Sequence, residues 1–96
     1  MNNTLIKYLD DKSGNRRGCI ACTGRKVPGS EGADPRSFLI GTSFCGKKDV
    51  FKKEIGREIA IGRAEKGTSG SIPGDMVTET SVAWEQMVAR AEKYFK

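Results

Sequence analysis

Histidine is absent from this chain of 96 residues, and with it the side chain that most often acts as a general base near neutral pH. Cysteine is scarce: Cys19, Cys22 and Cys45 make an odd count, which does not suit a disulfide framework. Cys19 and Cys22 match C-x-x-C, but structural zinc takes four ligands, and neither a second pair nor a histidine supplies the others. On a strand the two sulfurs would face opposite sides. Reduced, metal-free structural thiols are expected. Also missing are H-E-x-x-H, G-x-S-x-G, the Walker phosphate loop and any clustering of carboxylates. That pattern points to binding and away from catalysis, with no cofactor. No apolar run reaches the roughly 18 residues needed to span a bilayer, and Met1–Lys7 has no basic stretch leading into an apolar one. A cytoplasmic protein without a membrane partner is therefore expected.

The length suits one small domain, residues 1–96, with too little volume for a deep cleft in one protomer. A ligand site is therefore expected where subunits meet. With 36% hydrophobic residues and 12 glycines, the core must come from few segments. The net charge of +5 is uneven: residues 1–30 carry six Lys and Arg against two Asp, whereas residues 67–96 carry three against four acids. An acidic partner should meet the amino-terminal two thirds.

Thr4–Leu9 has strand composition, Asp10–Asn15 is dense in turn formers, and Arg17–Thr23 is a second apolar run, so the two read as a hairpin. Gly24–Pro35 reads as a surface loop and Arg36–Ser43 as a third strand. A helix is predicted from about Lys48 to Lys66, stopped by Gly67, with Phe51, Ile55 and Ile59 as its buried stripe. Gly56 and Gly62 inside it suggest close packing. Asp75–Ser81 fits either a short strand or an extended linker. Trp84, Met87, Val88, Ala91, Tyr94 and Phe95 recur at helical spacing and give a terminal amphipathic helix. The class predicted is α+β, an antiparallel sheet of three or more strands with two helices packed on one face.

The start of the first helix carries Lys47, Lys48, Lys52 and Lys53, the charge that the helix dipole disfavours at that end by roughly 0.3–1 kcal/mol each. A bound anion would relieve that cost, and free backbone N–H groups there would point at it. Gly46 allows close approach to the backbone, and Phe44 offers a ring for a base.

The combination Arg17-Gly18-Cys19-Ile20-Ala21, Ile40-Gly41-Thr42-Ser43-Phe44-Cys45 and Lys48-Asp49-x-Phe51-x-Lys53-x-x-Gly56-x-x-Ile59-Ala60-x-Gly62-Arg63-Ala64 resembles small bacteriophage accessory proteins, of the kind that includes the Thoeris anti-defence sponges. The likeness covers residues 16–66. It implies a small non-enzymatic homo-oligomer in the host cytoplasm that closes pockets between protomers and sequesters cyclic ADP-ribose signals made by host TIR-domain enzymes. On that reading Lys47, Lys48, Arg57 and Arg63 supply phosphate contacts and Phe44 a platform for the base. Arg57 and Arg63 stand six residues apart, about 240° around a helix, so one pocket would need one from each of two protomers.

Two other readings stay open. A basic stripe from Arg16, Arg17, Arg25 and Lys26 to the helix lysines would follow a nucleic-acid backbone or dock on a host protein to inhibit a defence system. An adaptor could dock through the Trp84–Phe95 face, which is also the expected oligomer contact.

Overall fold

The computed structural model describes residues 4–25, 38–46, 49–66 and 70–94. Strands β1 (Leu5–Asp10), β2 (Arg16–Arg25) and β3 (Phe38–Phe44) are followed by helix α1 (Lys53–Lys66), a 3₁₀ turn (Gly74–Met76) and helix α2 (Val77–Tyr94). The strands form an antiparallel meander in the order β1, β2, β3, and the α+β class follows the sequence expectation. Asp11 builds the first turn: its carboxylate accepts the N–H groups of Ser13 and Asn15 at 2.9 and 3.0 Å, while Gly14 takes the left-handed conformation at φ 85°. These bonds, the Asn15 amide foremost, hold the Asp11 carboxyl below its usual pKa.

The helices lie on opposite faces of the sheet. Leu5, Leu9, Ile20, Cys22 and Ile40 pack with Met76, Ala83, Met87 and Ala91 beneath α2. Cys19 and Ala21 pack with Ala60 of α1, alongside Ile6, Tyr8, Phe51 and Ile61. This corrects the expectation of both helices on one face. Period-two alternation makes β1 and β2 apolar on both sides, and a strand apolar on both sides needs cover on both.

Helix α1 begins at Lys53 rather than Lys48, and it does not bury the predicted stripe. Its buried positions are Gly56, Ala60 and Ala64, while Ile55 and Ile59 remain 53% and 42% exposed. The reason is steric. A Cβ on Gly41 would overlap the Ala60 carbonyl oxygen and the Ala64 amide nitrogen, so the β3 backbone touches the helix backbone directly. Only small residues fit such a seam. Ser43 adds a hydrogen bond from Oγ to the Gly56 carbonyl at 2.6 Å. Phe51 precedes the helix and caps Gly56, where its ring fills the space a Cβ would take.

Residues 75–81, read as strand or linker, belong instead to the 3₁₀ turn and the first turns of α2. Met76, Thr80, Ala83, Met87 and Ala91 are all buried, and this stripe at helical spacing outweighs the β-branched residues between. That stripe covers the molecule's own sheet, so Met87, expected at an assembly surface of the terminal helix, is buried within the protomer instead. Trp84 and Val88 pack against the core, and Tyr94 alone of the named aromatics stands out, at 64% exposure; Phe95 lies outside the described residues. No described helix is long and apolar enough to cross a membrane.

A bulge in the β1–β2 ladder sets the direction of two arginines. Leu9 pairs with Gly18 but Asp10 pairs with Arg16, so Arg17 is the extra residue. Unbroken alternation would place Arg17 on the Cys19 face. The bulge instead sends it toward the 3₁₀ turn, where it is 2% exposed. Its Nη1 meets Asp75 Oδ2 at 2.6 Å and Asp11 Oδ2 at 3.5 Å, and Nε donates to the Cys45 carbonyl at 2.9 Å. One buried guanidinium thus ties the hairpin turn, the exit of β3 and the entry to α2. Asp75 is the main cause of its raised pKa.

Candidate functional site

Ile6 and Tyr8 alternate onto the α1 face of β1, and Cys19 and Ala21 form the adjoining floor on β2. Lys53, Arg57 and Ile61, at i, i+4 and i+8, make one ridge of α1 along this floor. Lys53 Nζ stands 5.4 Å from the centroid of the Tyr8 ring and Ile61 packs against the Cys19–Ala21–Ala60 cluster, which sets Arg57 between them on the ridge by helical spacing.

The other end of the ring is closed by residues the bulge brings in. Arg16 holds its guanidinium carbon 5.1 Å from the Tyr8 centroid and is fixed by Asp10, Nε to Oδ1 at 2.6 Å. Both members of that pair are substantially exposed, so solvent screens it and it yields to a competing anion. Phe51 meets Tyr8 edge to face, with centroids 6.2 Å apart and planes at 74°. The result is a half-buried aromatic ring under two cations, with Arg57 one turn beyond Lys53 on the same helix ridge.

The floor is chemically quiet. Cys19 is fully buried, and burial pushes its thiol up to about 11 against a smaller opposing effect from Arg57. Cys22 lies on the other face and is also raised by burial. Both sulfurs stay protonated and unreactive at neutral pH. All three cysteines are free, and no group of three or more His, Cys, Asp or Glu gathers for a metal among the described residues.

A second cleft, of about 440 Å³, lies between the hairpin turn and α2 and is lined by Asp11, Lys12, Ser13, Asn15, Asp75 and Glu79 among others. Three carboxylates against one lysine give it the wrong sign for an anion, and two of those carboxylates are engaged by Arg17.

Of the residues proposed from sequence, the three that are described, Phe44, Arg57 and Arg63, do not come together. Phe44 ends β3, with its ring on Gly18, 2.5 Å from where a Cβ would stand, and packs with the core under α2. Arg57 is on the opposite face of the sheet. Arg63 turns to the β3 edge and donates to the Thr42 carbonyl at 2.7 Å. Lys47 and Lys48 lie outside the described residues. Of the four lysines read as a helix start, Lys53 opens α1, and Lys52 precedes it, its carbonyl accepting the Gly56 N–H at 2.9 Å. Arg17, part of the proposed basic stripe, is buried and ion-paired. Sequence reasoning missed Tyr8, and it put Arg16 only in the basic stripe of the nucleic-acid reading, not beside an aromatic ring. The signal was the alternation Ile6, Tyr8, Asp10 on β1, which sets Tyr8 two residues from the position opposite Arg16 across the hairpin. No family model, curated protein or solved structure matches this chain.

Proposed function

We propose that this protein binds a small anionic nucleotide without altering it, holding phosphate on Arg16, Lys53 and Arg57 and the base on the Tyr8 ring. One observation carries the reading: two cations stand over a single half-buried aromatic ring, at 5.1 and 5.4 Å. A phosphate competes for both cations, and as they turn to it the ring they cover becomes a stacking surface for the base. Arginine forks offer the bidentate geometry that phosphate accepts best. The net charge of +5 draws such a ligand in.

The likeness to phage anti-defence sponges supplies the ligand class and the purpose: a cyclic nucleotide of cyclic ADP-ribose type, sequestered as a host immune signal in the host cytoplasm. The test is calorimetry against cyclic ADP-ribose isomers, cyclic di- and trinucleotides and a short DNA duplex, followed by heat release and chromatography of the ligand. Binding of a cyclic nucleotide that is recovered unchanged supports the reading. A new product would make the protein an enzyme. Binding to duplex alone, falling steeply with salt, would select a nucleic-acid binder.

A further inference from the structure

Gly62 lies within α1, where glycine disfavours a helix relative to alanine. Nothing stands within 4 Å of where its Cβ would be, and its φ is not positive. Gly41 and Gly56, by contrast, each have heavy atoms in the Cβ position. Nothing within the described protomer calls for glycine at position 62.

Its neighbours suggest what does. Ile55, Ile59 and Gly62, at i, i+4 and i+7, form one strip of α1 turned away from the buried Gly56, Ala60 and Ala64. The strip adjoins an apolar groove lined by Phe44, Cys45 and Phe51, with Val50 at its mouth 84% exposed. Two protruding isoleucines followed by a glycine suit a second helix, since the side chains interdigitate and the glycine lets the backbones close.

Charge selects the occupant. On α1, Glu54, Glu58 and Glu65 lie along one flank of the strip and Arg63 along the other, with Lys52 on that same side just before the helix and Lys66 continuing the strip at its end. Arg63 also holds the Thr42 carbonyl, and its charge stays on that flank. A two-fold axis parallel to the helices sets each acidic flank against the basic flank of the other copy. Antiparallel pairing would set glutamate against glutamate. A strip with flanks of opposite sign is therefore self-complementary in one orientation. We infer that this protein forms a homodimer by parallel packing of α1 on the α1 of a second copy, through Ile55, Ile59 and Gly62. The strip lies on the side of α1 away from the Lys53–Arg57–Ile61 ridge, so the dimer leaves the anion site open and its test is independent of ligand binding.

Sedimentation equilibrium of the full chain at tens of micromolar should return twice the 10.5 kDa chain mass. Ile59→Glu should return the single-chain mass. Gly62→Leu should weaken the dimer by about tenfold or more, the scale of a residue at an interface centre, while circular dichroism shows no loss of helix. A wild-type protein that stays at the single-chain mass overturns the inference, and so does a dimer that survives both substitutions.

Discussion

A methyl group on Gly41 would occupy the space already taken by the carbonyl oxygen of Ala60. That contact between a strand backbone and a helix backbone sets how α1 lies, which of its side chains are buried and which way the Lys53–Arg57–Ile61 ridge faces. Gly41→Ala should therefore destabilise the fold by about 1–3 kcal/mol, the usual cost of overpacking, read as a lower urea midpoint with an unchanged slope. Wild-type stability would show that α1 does not sit on β3 as described.

Two isoleucines of opposite burial make a second, contrasting prediction. Ile20 is fully buried in the core beneath α2, whereas Ile55 is 53% exposed. Ile20→Ala should cost about 2–5 kcal/mol, and Ile55→Ala less than about 1 kcal/mol at concentrations where the chain is monomeric. Equal losses would contradict the assignment of the core.

The cysteines give a pH dependence with a definite sign. Cys19 is raised from 9.0 to about 11 by burial, so the native state favours the neutral thiol. Its contribution to stability is whole below the unfolded value and is lost as pH rises from about 9 through about 11. Stability should fall across that window, and Cys19→Ser should flatten the fall. Under native conditions an alkylating reagent should modify the half-buried Cys45 first and reach Cys19 and Cys22 only on unfolding. Rapid alkylation of Cys19 in the folded protein would refute its burial.

On the acid side the hairpin turn is the sensitive element. Asp11 accepts two backbone N–H bonds and faces Arg17, and its pKa is lowered from 3.8. A depressed carboxyl contributes stability above the unfolded value and loses it as pH falls through the folded one. Acid unfolding should therefore steepen below about 3.8, and Asp11→Asn should weaken that dependence. Arg17→Leu should lower the midpoint at neutral pH, since it leaves Asp75 without its buried partner. An unchanged midpoint would show that the Arg17–Asp75 bridge does not hold the 3₁₀ turn to the sheet.

Much of the fold could be read from local pattern. Three strands and two helices follow from apolar runs, turn formers and helical spacing, and the Asp10–Asn15 turn lies where the residues indicate. The face of α1 could not be read that way. Phe51, Ile55 and Ile59 form the stronger apolar pattern, but Gly41 brings the backbones so close that only Gly56, Ala60 and Ala64 fit between. Hydrophobicity ranks the large residues first, and close packing reverses that rank. The site was hidden for a related reason. Arg16 and Arg17 look alike in sequence, and a one-residue bulge sends one to the Tyr8 ring and the other into a buried ion pair. Register irregularities depend on tertiary contacts that local pattern does not carry.

On the proposed function an anionic nucleotide sits on the Tyr8 ring among Arg16, Lys53 and Arg57, and amide and aromatic NMR shifts during titration should report it there. The ligand is whichever cyclic nucleotide binds most tightly in calorimetry. Saturating shifts should gather at Tyr8, Arg16, Lys53 and Arg57, with Trp84, on the other face of the sheet, left unmoved. Tyr8→Ala should weaken binding about tenfold, the scale of one base stacked on an aromatic ring. Shifts that gather around Trp84, or a Tyr8→Ala variant that binds like the wild type, would contradict the account.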